Sequence, residues 1–174
     1  ADDRNRLEVV RDLRSEGVDA YPPVVPSQFL DAGLMMEGGE VFPLAGIAGR
    51  ATVYCREAGE MVFFQSDEHG FHNPQALWAQ DGIDVAVIGD SYAQGGCVGS
   101  DKNAVALIRE VYPSTLNLGM GGNGPALELA TVKEYLGDLE PRTVLWFYYE
   151  GNDIGNLGVE IRRYPPYVKY LNHN

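Results

Sequence analysis

The stretch DVAVIGDSYAQGG, residues 84–96, joins an apolar strand to a polar turn. Its first half is almost wholly apolar, which is typical of a strand covered on both faces of a parallel sheet. Its second half begins with Gly89, Asp90 and Ser91. In open α/β sheets, ligands bind just beyond the carboxyl ends of the strands. The stretch therefore predicts the start of a parallel sheet with a functional site at Ser91.

The chain after this stretch alternates strands with helices. Apolar runs predict strands over 114–119 and 142–149, and helices are predicted over 102–112 and 125–136. This alternation predicts an α/β fold, a flavodoxin-like three-layer α/β/α arrangement around a parallel sheet. We expect the strand order to begin 2-1-3, with right-handed crossovers. Three strands make a narrow sheet for this fold, so the domain is expected to be incomplete at the C-terminus.

Residues 1–82 are predicted to form an extension in front of an α/β domain that spans 83–174. Apolar side chains recur at helical spacing over 2–16, and turn glycines separate short β-forming runs over 41–66. The extension is thus an N-terminal helix followed by a small β-rich appendage. A last helix is predicted over 158–171, interrupted by two prolines.

Composition excludes several classes of function. The chain has 174 residues and a net charge of -12, whereas nucleic-acid binding requires clustered Lys and Arg that neutralise phosphates. The same charge disfavours docking on anionic lipid. No apolar run approaches the roughly 18 residues of a membrane helix. We expect a neutral or weakly charged small substrate and no nucleic acid, and composition leaves the oligomeric state open.

The three predicted strand ends carry complementary chemical groups. Ser91 follows the first strand, Gly122 lies in a glycine-rich loop after the second, and Asn152 follows the third. Acyl transfer needs a nucleophile, which the hydroxyl supplies. It also needs donors that stabilise the oxyanion, which the backbone N–H groups and the carboxamide supply. Loss of one such donor raises the barrier by about 3–4 kcal/mol. We predict Ser91 as the nucleophile of an ester hydrolase or acyl transferase.

Three segments resemble the conserved blocks of the SGNH/GDSL hydrolases. VAVIGDSYAQGG resembles block I, NLGMGGNGP block II and WFYYEGND block III, in the family's order and over residues 83–155. The resemblance implies that Ser91 is the nucleophile and that Ser91, Gly122 and Asn152 form the oxyanion hole. It implies a supporting role for Asp90, and we interpret Asp153 as structural.

The same resemblance implies a class of substrate and a location. The substrate would be an acetylated carbohydrate, a lipid ester or a small ester, hydrolysed without a cofactor. The region from DLRSEGVDAYPP to SDEHGFHNP resembles the extension that precedes the hydrolase domain in membrane-anchored bacterial members. An extracytoplasmic location, periplasmic or membrane-anchored, is therefore expected.

Two departures from the family pattern concern the base and the third block. Glu150 stands where the GxND motif has its first glycine. The family's DxxH block, which supplies the catalytic histidine, does not occur, and the histidines are His69, His72 and His173. We expect the general base to lie beyond residue 174, with His69 as a substitute if its loop folds over Ser91. A fragment or degenerate member that binds without catalysis is a further interpretation.

The glycines of the second loop support a competing function. Gly119, Gly121 and Gly124 match the G-x-G-x-x-G motif between a strand and a helix, which is typical of nucleotide binding. Pyrophosphate would then lie at the N-terminus of the following helix. The acidic partner would be Glu150, which is farther from Gly119 in the sequence than the roughly 20 residues that are typical of that motif.

Asp67, His69 and His72 form a D-x-H-x-x-H string that could suggest a metal site. Gly70 and Pro74 disfavour the helix that would put both histidines on one face. No third strong ligand is adjacent. We therefore predict solvated loop histidines and no metal site here.

Cys55 and Cys97 are enough for one disulfide. Cys97 lies six residues past Ser91 in the sequence. We predict a bridge that ties the β-rich appendage to the loop after Ser91, given an oxidising compartment.

Overall fold

The computed structural model describes residues 3–56, 59 and 61–172, which form a mixed α/β fold. The N-terminal part contains one helix and five short strands: α1 (Arg6–Ser15), β1 (Ala20–Tyr21), β2 (Leu34–Met36), β3 (Gly39–Val41), β4 (Ala51–Val53) and β5 (Phe63–Gln65). Single 3-10 turns lie at Pro26–Phe29 and Leu77–Ala79. This part matches the predicted helix and β-rich region in kind, and adds a hairpin of β2 and β3.

The C-terminal part alternates strands and helices as predicted. Its elements are β6 (Val85–Gly89), α2 (Ser91–Gln94), α3 (Ala104–Arg109), β7 (Thr115–Asn117), α4 (Pro125–Tyr135), β8 (Thr143–Phe147), α5 (Asp153–Arg163) and α6 (Pro165–Asn172). None of the helices within the described residues is both long and apolar enough to cross a bilayer.

Strands β7, β6 and β8 form a parallel sheet in that order. Numbered along the chain within this sheet, the order is 2-1-3, as predicted. Val85 of the central strand pairs with Thr115 on one side and with Thr143 on the other. All five residues of β6 are buried. Because the strands are parallel, their carboxyl ends meet at one edge of the sheet.

Alternate residues of β6 pack on two different sets of helices. Ala86 and Ile88 lie in a cluster with Leu136 just after α4, whereas Val85 and Val87 pack with Val105 of α3. This alternation follows from the two-residue period of a strand. It explains why β6 is apolar at every position.

Strand β8 is more exposed than its apolar run suggests, because such a run is typical of a strand covered on both faces. Val144 is 48% exposed and Trp146 is 55% exposed. Within the described part of the chain, β6 is the only strand that pairs with β8, so β8 is an edge strand. Its apolar sequence therefore reflects a surface that the described residues leave open.

The last predicted helix also has different bounds. Helix α5 begins at Asp153, directly after the third strand end, rather than near residue 158. Helix α5 ends before Tyr164, and a new helix, α6, begins at Pro165. Proline tolerates the first turn of a helix but disfavours the α conformation of the residue before it, which accounts for the break.

The N-terminal sheet has the order β1-β4-β5, with β1 parallel to β4 and β5 antiparallel to it. Helix α1 packs Val9 and Val10 against this sheet. A capping box of Asn5 and Glu8 fixes its start, since each side chain accepts from the other residue's backbone N–H. This unit positions the end of β4, which reaches the site described next.

Candidate active site

Ser91 is the first residue of α2, at the sharp turn after β6. Asp90 caps the helix, and its Oδ1 accepts a hydrogen bond of 2.9 Å from the Tyr92 N–H. Gly89 has a φ of +153°, and a Cβ there would lie 2.9 Å from the Phe147 carbonyl oxygen. The turn therefore needs glycine before Asp90, and it leaves Ser91 partly exposed at the edge of the sheet.

Hydrogen bonds join the three strand ends. Asn152 donates through Nδ2 to Asp90 Oδ2 at 3.0 Å, which ties the third end to the first. The Met120 N–H donates to the Gly89 carbonyl oxygen at 3.1 Å, which ties the second end to the first. The structure thus brings the loops of Ser91, Gly122 and Asn152 together. One N–H of the Asn152 amide remains for another acceptor, since a carboxamide has two.

Gly122 lies in the left-handed region, with a φ of +82°. Within the described residues, no acceptor pairs with its backbone N–H. A Cβ at Gly122 would lie 2.9 Å from Val25 Cγ1 and 3.3 Å from Ser27 Oγ. The N-terminal segment therefore packs directly on the predicted oxyanion loop, and a larger residue at this position would be strained in both backbone and contacts.

Tyr54 is a site residue that sequence reasoning missed. It follows β4, and its hydroxyl occupies the space where a Cβ at Gly121 would lie. A Cβ at Gly96 would lie 3.0 Å from Tyr54 Cε1 and 3.4 Å from Ser91 Cβ. Burial is the main cause that raises the pKa of Tyr54, Arg6 lowers it, and Asp90 raises it further. The phenol therefore stays protonated, and Tyr54 lines the same pocket as Ser91.

The predicted disulfide is present and holds Tyr54 in place. Cys55 and Cys97 are bonded, with their Cα atoms 5.0 Å apart. The bridge fixes the residue after Tyr54 to the loop that follows Ser91. The position of Tyr54 next to Cys55 in the sequence is the signal that could have identified it. A pocket of about 440 Å³ lies here, lined by Tyr54, Ser91, Tyr92, Gly96, Cys97 and Lys102.

Buried carboxyl groups lie behind the strand ends, which the sequence did not predict. Asp90, Glu128, Asp153 and Glu160 are all nearly inaccessible to solvent. The pKa of Glu128 is raised to about 7. Burial is the main cause, the hydrogen bond from Trp146 lowers the pKa, and the charges of the other three acids contribute to the rise. Burial also raises the pKa of Asp153, whose Oδ2 accepts from the Tyr149 N–H at 2.6 Å. In this position Asp153 holds the turn after β8.

Glu160 occupies the N-terminus of α4. Its Oε1 accepts from the Gly124 N–H at 2.6 Å, and its Oε2 accepts from the Ala126 N–H at 3.0 Å. These are the donors that a pyrophosphate would need in the G-x-G-x-x-G interpretation. At Gly121, the phenol of Tyr54 fills the space on that glycine's Cα. The geometry therefore argues against nucleotide binding through Gly119, Gly121 and Gly124.

The described histidines do not contact Ser91. His69 packs on Trp78, with ring centroids 4.3 Å apart, and on Tyr135 at 6.0 Å. Tyr135 is the last residue of α4, and the Gly122 loop lies before its first residue. Because an 11-residue helix is about 16 Å long, the ring that His69 contacts and the Gly122 loop lie at opposite ends of α4. The structure thus does not bring His69 to Ser91. His173 lies outside the described residues.

His72 is buried and serves a different contact. Its Nδ1 lies 2.9 Å from the Gln94 carbonyl oxygen, and its Nε2 lies 3.0 Å from Ser100 Oγ. Both ring nitrogens therefore have partners other than Ser91.

Asp67 organises the D-x-H-x-x-H loop as a structural turn. Its carboxylate accepts four N–H groups, from the backbone of His69 and Phe71 and from the side chains of Asn73 and Trp78. Among the described residues, no group of three or more His, Cys, Asp or Glu side chains is arranged to hold a metal ion.

Glu150, at the position of the first glycine in GxND, is exposed in the turn after β8. Comparisons with protein-family models, curated proteins and solved structures found no match to this chain.

Proposed function

We propose that this chain carries the nucleophile and the oxyanion hole of a serine ester hydrolase of the SGNH/GDSL type, built on a flavodoxin-like three-layer α/β/α domain. The observation that carries the proposal is the position of Asp90. Its carboxylate binds both the N–H of Tyr92 and the amide of Asn152. One side chain thereby holds the serine turn and the carboxamide in a fixed relation, as an oxyanion hole requires.

In the proposed reaction, Ser91 Oγ attacks the carbonyl carbon of an ester. The N–H groups of Ser91 and Gly122 and the second N–H of Asn152 stabilise the oxyanion. Collapse of this intermediate releases the alcohol and leaves an acyl group on Ser91, which water then removes. The alcohol and the carboxylate are the products, and no cofactor is required.

The proton of Ser91 needs an acceptor that His69 and His72 do not supply. Serine is a weak nucleophile without a base. We therefore expect slow acylation of Ser91 in this chain and acceleration by a base added from solution. Tyr54 lines the same pocket as Ser91, and we propose its protonated phenol as a further donor to the oxyanion.

The surroundings of Ser91 support a neutral ester substrate, a carbohydrate acetyl, lipid or small ester. Tyr92 and Tyr149 lie with ring centroids 5.0 Å apart and are 62% and 45% exposed. Exposed aromatic faces bind apolar surface while tolerating water. The Cys55–Cys97 bridge supports an oxidising, extracytoplasmic location, because disulfides persist there.

A fluorophosphonate probe tests the proposal. Intact-mass and peptide analysis should find the label on Ser91, and Ser91→Ala should abolish it. Ser100→Ala is the matched control, because Ser100 contacts a histidine in a different pocket. That variant should be labelled at the rate of the unmodified chain.

Chemical rescue tests the missing base. Imidazole should accelerate release of p-nitrophenol from p-nitrophenyl acetate in the unmodified chain more than in Ser91→Ala, which reports the background reaction. If Ser91 is not labelled and imidazole accelerates both proteins equally, the chain is a non-catalytic fragment or binding module and the proposal is wrong.

A further inference from the structure

A second pocket, of about 270 Å³, lies apart from the Ser91 pocket and shares no lining residue with it. Gln65, His72, Asn73, Ser100 and Arg109 supply its polar lining, and Phe64 lies among its apolar residues. The proposed ester chemistry uses none of these side chains. The pocket therefore needs its own explanation.

Arg109 is a half-buried cation without a carboxylate partner. Its Nε donates to the Thr115 carbonyl oxygen at 2.9 Å, and its Nη2 donates to Asn73 Oδ1. Among the described residues, no Asp or Glu oxygen lies within 4.0 Å of the Arg109 guanidinium. A guanidinium has five N–H groups, so three remain available to another acceptor.

Asp67 is the acid that acts on Arg109 electrostatically, and its carboxylate is already satisfied. Its four N–H donors were described above. Burial outweighs the charge of Asp67 and lowers the pKa of Arg109 to about 10. A desolvated cation beside an open pocket favours binding of an anion, because burying an unpaired charge is costly.

The contacts of His72 fix its tautomer. The Gln94 carbonyl oxygen is an acceptor only, so Nδ1 carries the proton. In the neutral ring, Nε2 then accepts from the Ser100 hydroxyl. The Ser100 proton therefore points to His72 and is not available to a ligand in the pocket.

We propose that this pocket binds a small oxyanion, a carboxylate or phosphate group, through the Arg109 guanidinium and the Ser100 hydroxyl, and that His72 takes up a proton as the anion binds. Protonated His72 donates from Nε2 to Ser100 Oγ. The Ser100 proton is then free to donate to the anion. The same step adds a positive charge beside the ligand, so binding and protonation favour each other.

The charged groups around His72 set the direction of its pH dependence. Burial is the main cause that lowers the pKa of His72, the Gln94 carbonyl raises it, the Arg109 charge lowers it, and Asp67 raises it. The Phe64 ring stacks on His72 with centroids 3.8 Å apart and carries no charge. An anion on Arg109 offsets that residue's repulsion and raises the pKa of His72. Anion affinity therefore increases as pH falls through this pKa, by up to about tenfold per pH unit.

NMR of the histidine Cε1–H groups tests the proposal directly. Sodium acetate and sodium phosphate are titrated separately between about pH 5 and 8, with sodium chloride holding the ionic strength constant. We expect saturable shifts of the His72 resonance with acetate, phosphate or both, larger affinity at lower pH, and little change at His69. Saturation by one anion alone identifies the group that the pocket recognises.

Two variants that remove the same charge distinguish specific anion binding at Arg109 from a general effect of protein charge. Arg109→Gln should weaken anion binding at least about tenfold, the loss typical of a buried charged contact. Lys102→Gln removes the same charge from the Ser91 pocket and should leave binding unchanged. If Arg109→Gln fails to fold, Ser100→Ala carries the test. It should weaken anion binding and reduce the pH dependence of affinity, because only the charge of His72 then couples binding to protonation.

Two results would overturn the proposal. One is a linear, unsaturable response of His72 that chloride reproduces. The other is a titration of Arg109→Gln that superimposes on the unmodified protein. Ser91→Ala should bind the anion normally, which keeps this test separate from the proposed ester chemistry.

Discussion

The contact between Tyr54 and Gly121 can be tested with a double-mutant cycle. In Gly121→Ala, the new Cβ would approach the Tyr54 hydroxyl more closely than the 3.0 Å that real Cβ atoms keep, and would lie 3.1 Å from Gln94 Oε1. Gly121 has no positive φ, so the backbone accepts alanine. Overpacking of this kind costs about 1–3 kcal/mol. The lower conformational entropy of the unfolded alanine variant offsets about 0.4–1 kcal/mol of this cost. We expect a net loss of about 1–2 kcal/mol in the free energy of unfolding.

Tyr54→Phe should remove most of this cost. Without the hydroxyl, the nearest ring atom to the new Cβ is Cζ at 3.5 Å, an ordinary contact. Tyr54→Phe alone should change stability by less than about 1 kcal/mol, because no acceptor for its hydroxyl lies among the described residues. The coupling energy from urea unfolding of the four proteins should be about 1–2 kcal/mol.

Gly155→Ala is the matched control for this cycle. A Cβ at Gly155 meets nothing within 4 Å, and the residue lies inside α5, where alanine is favoured by about 0.5–1 kcal/mol. It should stabilise the protein and show no coupling to Tyr54→Phe. If Gly121→Ala and Tyr54→Phe are instead additive within about 0.5 kcal/mol, Tyr54 does not lie over the glycine loop.

Two further changes test the buried acids and the disulfide. Glu128→Gln should stabilise the protein by about 1–3 kcal/mol at pH 8 and have little effect at pH 4, measured by urea unfolding. The folded pKa of about 7 exceeds the ordinary 4.5, so the folded state binds the extra proton and loses stability as pH rises between these values. An equal effect at both pH values would contradict this reason. Reduction of the Cys55–Cys97 bridge should cost about 4 kcal/mol, the loop-closure value for its separation of 42 residues. Unfolding curves with and without reductant that coincide would contradict that value.

The sheet and its loops were predictable because each rests on a local pattern. The apolar run of β6 and the proline that begins α4 each restrict the backbone within a few residues, and Gly89 at the end of β6 permits the sharp turn that follows. The strand order follows because parallel neighbours need helical crossovers of limited length. These patterns identify which loops meet at the sheet edge, and Asn152 does bind Asp90 there.

The remaining features depend on contacts between distant segments. Glu160 resembles an ordinary helix residue in sequence, yet it caps α4 from 34 to 36 residues away. His72 looked like a loop histidine, but its ring stacks on Phe64 and binds the end of α2. The exposure of β8 was also hidden, because an apolar edge strand and a buried strand have the same composition. Pattern and spacing do not carry such information.

The N-terminal region is part of the site rather than an appendage to it. Val25 and Ser27 lie against Gly122, and Tyr54 fills the space beside Gly121. The disulfide fixes this arrangement covalently to the loop after Ser91. Glycine is required at Gly122 by its backbone, whereas Gly121 is glycine because a phenol from another segment occupies its side. The boundary predicted at residue 82 therefore separates two stretches of sequence whose packing is shared, and the shape of the Ser91 pocket depends on both.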